Sequence, residues 1–136
     1  MSIDNNLYEK SIKILTDLIA FKTISGQDNS NLIDYCEKIL NNIGIDTFKV
    51  YDDDKKRVNL FGTLKAKNQS TKKPIILSGH TDVVPVSKGW SSDPFVATIK
   101  NDKLYGRGSC DMKGFIACTL AYAPIFKESN LDRDLH

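Results

Sequence analysis

A disulfide framework cannot be drawn in this sequence. Its three cysteines, Cys36, Cys110 and Cys118, form no C-x-x-C pair and leave one over if any two join. That points to a reducing compartment and a cytoplasmic protein. An excess of one charge is also missing: 19 basic and 17 acidic residues are interleaved, for a net charge of +2. No basic stripe of the kind that phosphate-backbone binding needs is present, so no nucleic-acid partner is expected. Long hydrophobic runs are absent as well. The longest stretch without a charge, Gly114 to Phe126, is too short to span a bilayer and suits a buried helix. Asp4, Glu9, Lys10 and Lys13 interrupt the apolar residues of the amino terminus, which leaves no secretory hydrophobic region and no membrane partner. Internal repeats, low-complexity tracts and linkers are also lacking.

What is present suits one soluble domain at most: 136 residues, 40% hydrophobic and 26% charged. From Asn6 to about Phe21, apolar residues at Leu7, Ile12, Ile14, Leu15, Leu18 and Ile19 form a helical stripe. Thr23 to Asn29 breaks it. A second amphipathic helix carries Leu32, Ile33, Cys36, Ile39, Leu40 and Ile43 and stops at Gly44. The period then changes. Ile45–Tyr51 and Val58–Leu64 alternate as strands around an acidic turn at 52–54, most simply a solvated hairpin tip. Ile75-Ile76-Leu77 is a short apolar run of the kind expected of a strand buried on both faces. Phe95–Lys100 and Lys103–Tyr105 suit a hairpin around Asn101-Asp102, and 112 to about 127 a buried helix whose last turn Pro124 should kink or fray. Leu135-His136 reads as the start of a further strand. The order predicts an α/β domain, a mixed sheet flanked by helices.

Two segments carry chemistry. Ser78-Gly79-His80-Thr81-Asp82 directly follows the apolar run, where α/β sheets bind ligands. Residues two apart on an extended chain point to one side, so His80 and Asp82 are expected to face one cavity. Imidazole is the commonest metal ligand, and a carboxylate on its other nitrogen fixes the tautomer. Taken alone, His-x-Asp fits a structural histidine with a helpful aspartate equally well. The second segment is Tyr105-Gly106-Arg107-Gly108-Ser109-Cys110-Asp111-Met112-Lys113-Gly114. Its glycines allow a tight turn and put Asp111 at the mouth of the next helix. An N-cap explains such an aspartate without any function, yet a carboxylate has two oxygens and can also bridge two metals.

Together, Ser78–Pro85, Trp90, Asp93-Pro94-Phe95, Leu104–Gly108 and Asp111–Gly114 resemble the M20 metallopeptidase signature in order and spacing. Within that family, Cys110–Ala117 is similar to the acetylornithine deacetylase branch. The resemblance implies a truncated zinc-exopeptidase-like catalytic domain, with residues 1–136 its amino-terminal part and the lid or dimerisation domain and carboxy-terminal part absent. It implies two divalent metal ions, zinc or cobalt, with His80 ligating one, Asp111 bridging both and Asp82 orienting His80. It also implies a cis Asp111–Met112 peptide. The family's general-base glutamate and remaining ligands would lie beyond His136, so weak or partial metal binding and no turnover are expected of this chain alone. The implied substrate is a small-molecule N-acyl amino acid, foremost N-acetylornithine in arginine biosynthesis. Succinyl-diaminopimelate desuccinylase or another M20 amidohydrolase is the alternative within the family. A non-catalytic remnant, or a split-gene subunit paired with a separate carboxy-terminal chain, is the alternative outside it.

Other residues have plainer expectations. Cys110 has no assigned role, and Cys36 and Cys118 fall on helix core faces. Trp90 and Phe95 suit packing, Arg107 an ion pair holding the glycine turn, and His136 no function.

Overall fold

The computed structural model describes residues 5–136 of the chain; Asp4, one of the charges that break up the amino terminus, lies outside them. Helix α1 spans Asn5–Ala20 and α2 Ser30–Asn42. Their stripes meet where the periodicity placed them: Ile14 and Leu18 of α1, and Leu32, Ile33 and Cys36 of α2, are buried in one cluster with Val58, Ala117, Leu120 and Ala121. Burying one such aliphatic side chain is worth about 1.5–3 kcal/mol, so this cluster is the main thermodynamic reason the helices stay together.

Strands β1 (Asp46–Tyr51) and β2 (Val58–Thr63) pair antiparallel, with Phe48 opposite Phe61 and Tyr51 opposite Val58. Their turn is held from within. The Asp52 carboxylate accepts the Lys56 and Arg57 amides at 3.0 and 3.1 Å and pairs with Arg57 Nε at 2.6 Å. The acidic tip is therefore a bonded cap and more than a solvated bulge. A second hairpin joins β3 (Thr98–Lys100) to β4 (Lys103–Tyr105). Asn101 and Asp102 at its tip have φ of 51° and 57°, the left-handed pair that a two-residue hairpin turn demands. Residues 95–97, expected as strand, form the turn that enters this hairpin.

Helix α3 (Gly114–Glu128) packs along α1 through Ala117, Leu120 and Ala121. It runs on past Pro124 for another turn, so the proline does not end it. Ser129 closes it, its amide and hydroxyl both bonding to Ile125 O.

The apolar run 75–77 departs from expectation: it is extended, but Ile75 and Ile76 are exposed by 49% and 67%. The reason is its partners. Leu135 bridges to Leu64 on one side and to Ile75 on the other, antiparallel and parallel respectively. The 134–136 segment thus links the end of β2 to 75–77 in a rudimentary mixed sheet, and among the described residues nothing covers the outer side of Ile76. Leu135-His136 does behave as a strand start. Cys118 also departs: it faces outward on α3, whereas Cys36 is buried as expected. A helix apolar nearly all round offers no period from which to choose its inner face.

Candidate metal centre

Three segments converge at one end of this scaffold. The first is the loop after 75–77, which carries His80 and Asp82. The second is the chain leaving α1: Thr23 Oγ1 donates to Thr81 O at 2.6 Å, Val83 N donates to Thr23 O at 2.9 Å, and Ser25 N donates to Val83 O at 3.0 Å. Asn29 adds a bond from Nδ2 to Thr81 Oγ1 at 3.1 Å. The third is a wide turn over Ser109–Lys113, in which Asp111 (φ −122°, ψ 96°) and Met112 (φ −137°, ψ 31°) leave helical geometry. The Asp111–Met112 peptide is cis. Gly108 makes the approach possible. Its φ is +80°, and a Cβ there would sit 2.6 Å from Val83 Cγ1, so only glycine brings this turn against the His80 loop.

The side chains meet there. His80 Nε2 lies 2.9 Å from Asp111 Oδ1, and His80 Nδ1 lies 3.1 Å from both Asp82 Oδ1 and Asp82 O. His80 and Asp82 share a side, as their two-residue spacing predicts. Asp111 makes no cap hydrogen bond, and α3 begins three residues later, so the N-cap reading of Asp111 does not hold. Its backbone is not in a position to cap, and its carboxylate turns to the imidazole.

The electrostatics follow. The bond to Asp111, with help from Asp82, raises the His80 pKa above its ordinary value. Asp82 is held below the usual carboxylate range, chiefly by the Ser25 hydroxyl at 2.5 Å and also by His80. With Nδ1–H given to Asp82, the Nε2 lone pair and Asp111 Oδ1 would be two acceptors face to face. That arrangement needs a cation between them, a proton or a metal ion. The donor set, imidazole nitrogen plus carboxylate oxygen, therefore fits a divalent metal such as zinc. It is a partial set: among the described residues, no group of three or more His, Cys, Asp or Glu is arranged so that all could hold one metal ion. The Asp111 side chain is also 85% exposed, so water competes for it fully.

A cleft of about 240 Å³ opens over these groups, lined by Ser25, His80, Asp82, Arg107, Cys110 and Asp111 among others. A larger void of about 690 Å³ lies between β2 and α3, with aliphatic residues such as Leu60, Ile76 and Ile116 on its walls and His80, Thr81 and Asp82 at its edge. It follows from the uncovered sheet face, and the smaller cleft is where the polar groups converge.

Two residues near the site went unread in the sequence. Ser25 sat in what looked like a plain helix break. Lys113 is fully buried, its Nζ donating to Leu18 O at 2.8 Å and Phe21 O at 2.7 Å at the end of α1. No local pattern foretells that contact, because the partners are 92 and 95 residues away. Among the described residues, Arg107 makes no ion pair. Its guanidinium lies 5.1 Å from the Trp90 ring centroid, Nη2 reaches Pro85 O at 3.4 Å, and Nε is buried without a partner. The glycine turn is held instead by the contact with Trp90 and by Arg107 N donating to Pro94 O at 2.6 Å. His136 is bonded too, with Nδ1 3.0 Å from Thr63 Oγ1.

The scaffold is a partial α/β domain that shares its fold with human carnosine dipeptidase 1, with a TM-score of 0.76 at 23% identity, covering 97% of this chain and 31% of that one. Sequence comparison is more specific. Residues 76–136 match the model of peptidase family M20/M25/M40. The succinyl-diaminopimelate desuccinylase of Rickettsia akari (strain Hartford) is 38% identical over 125 residues, which is 88% of this chain and 32% of that protein. The acetylornithine deacetylase of Myxococcus xanthus is 40% identical over 109 residues, 78% of this chain and 28% of that protein. By this match and these relatives the chain is similar to peptidase family M20. It spans about a third of the length of these relatives. Because both names occur among them, Cys110–Ala117 does not single out the acetylornithine branch. Among the described residues, no helix is long and apolar enough to cross a membrane.

Proposed function

We propose that this chain carries the amino-terminal share of a metal-dependent site that hydrolyses the amide of an N-acyl amino acid. The observation that carries this is the bond pair on His80: Asp111 Oδ1 2.9 Å from Nε2 and Asp82 Oδ1 3.1 Å from Nδ1. In this reading His80 and Asp111 hold the metal, and Asp82 fixes the ring so that Nε2 faces it. A bound divalent ion supplies Lewis acidity toward the scissile carbonyl and acidifies water beside it. Asp111, with a second oxygen free, suits a shared position between two ions. Zinc or cobalt is the metal that the family resemblance implies, and an imidazole nitrogen beside a carboxylate oxygen is compatible with either.

For the substrate, an N-succinylated diamino diacid ranks ahead of N-acetylornithine. The reason is the name shared by relatives of Rickettsia akari, Afipia carboxidovorans and Orientia tsutsugamushi, each matching 88–89% of this chain. Residues 1–136 are read as the amino-terminal part of the catalytic domain. The two-ligand donor set and the exposure of Asp111 favour a requirement for further groups, whether from the same polypeptide or a separate chain.

The test is deacylation of N-succinyl-diaminopimelate and N-acetylornithine with added zinc or cobalt, by residues 1–136 alone and mixed with a chain supplying the remaining M20 elements. No turnover is expected alone, because general acid–base transfer contributes about 10²–10⁴-fold and a half-filled metal site compounds the loss. On mixing, the succinyl substrate should be preferred, and Asp111→Ala should remove the activity. Turnover by residues 1–136 alone that survives Asp111→Ala would refute the reading.

A further inference from the structure

We infer that Ser25 is a positioning residue of the His80–Asp111 centre, its hydroxyl locking the carboxylate that aims the His80 ring; this rests on the metal reading of that pair. Ser25 Oγ donates to Asp82 Oδ2 at 2.5 Å across 57 residues of sequence, while Asp82 Oδ1 faces His80 Nδ1 at 3.1 Å. The two carboxylate oxygens are thus divided between a hydroxyl and an imidazole. Rotation of the carboxylate breaks one of the two bonds, so the hydroxyl restricts the ring through one intervening group. Asp82 needs that restraint. Its side chain is 50% exposed, and solvent would otherwise satisfy either oxygen in any orientation.

Ser25 is itself held firmly enough to act. Its amide bonds to Val83 O at 3.0 Å, and Val83 N returns to Thr23 O at 2.9 Å. Thr23 is buried and bonds to Thr81 O. Gly26, at φ +83°, then turns the chain away. A serine that merely shapes a turn bonds its own neighbouring backbone. Here both contacts of the hydroxyl, to Asp82 at 2.5 Å and Val83 O at 3.4 Å, cross to the His80 loop. Outer partners of this kind orient a ligating histidine and set its basicity.

The experiment uses residues 1–136 with Ser25→Ala, Ser25→Thr and, as a control, Thr23→Val, which loses the neighbouring bond to Thr81 O without touching Asp82. Nitrogen-15 NMR of the His80 ring reports its tautomer and hydrogen bonding, and zinc titration followed on the same signals reports affinity. Ser25→Ala should shift the Nδ1 signal and weaken zinc by about three- to tenfold, less than the about 10–100-fold seen for partners in direct contact with a ligand. Ser25→Thr should restore both. Unchanged ring signals in Ser25→Ala overturn the inference, as does an equal effect from Thr23→Val. If zinc fails to perturb His80 in the unaltered chain, the metal reading falls. The ring signals then still decide whether Ser25 holds His80 through Asp82.

Discussion

Lys113 offers the most demanding test of how this scaffold holds its site together. Its ammonium is fully buried and donates to Leu18 O and Phe21 O, two carbonyls at the end of α1 that otherwise accept only the Phe21 and Thr23 amides of the turn that follows. Lys113→Met keeps most of the stem volume and removes the charge. Two hydrogen bonds from a charged donor are worth about 1.5–3 kcal/mol each. Against that stands the cost of burying the ammonium. Burial brings the Lys113 pKa from 10.5 down to about 8, which at 1.36 kcal/mol per unit corresponds to about 3 kcal/mol. The balance is a net destabilisation of up to about 3 kcal/mol for the methionine variant. Urea unfolding followed by circular dichroism measures it. With a slope of about 1–3 kcal/mol per molar urea, the midpoint should fall, by up to roughly 2 M. A midpoint that holds or rises would refute the reasoning, because desolvation would then outweigh the bonds to α1.

Other expectations concern the metal pair and the thiols. His80→Ala or Asp111→Ala should abolish the zinc response of residues 1–136, which is itself weak, in the micromolar range or above, because catalytic zinc sites use about three protein ligands; calorimetric detection of a submicromolar site dependent on His80 would mean further ligands exist. Native chain treated with an aromatic disulfide reagent at pH 8 should lose the exposed thiols Cys110 and Cys118 quickly and Cys36 only on unfolding; rapid labelling of all three in the folded chain would contradict the burial. Burial also pushes the Cys36 pKa from 9.0 up to about 12. A pKa raised in the folded state gives stability that is present below the unfolded value of 9.0 and is lost as pH climbs toward 12. The stability advantage of the unaltered chain over Cys36→Ala should therefore shrink by about 2 kcal/mol between pH 8 and 10.5; a constant difference across that range would show that Cys36 does not titrate as its burial requires.

The sequence alone determined what depends on neighbours in the chain. The stripes of α1 and α2 follow from i, i+3, i+4 spacing, and the Asn101-Asp102 turn from residues that tolerate positive φ. His80 and Asp82 share a side because an extended chain repeats every two residues. Their proximity to Asp111, 31 residues from His80, was legible only through the resemblance of the whole signature to a family. Tertiary structure decided the rest. Ile75 and Ile76 look like an interior strand, and whether they are covered depends on what lies beside them. Cys118 and Ala121 look alike on an apolar helix, and only the position of α1 makes one exposed and the other buried. Lys113 and Ser25 have ordinary local contexts. Their partners lie more than fifty residues away, at the end of α1 and on Asp82, and a charge or hydroxyl declares its partner only when the fold brings the two within about 3 Å.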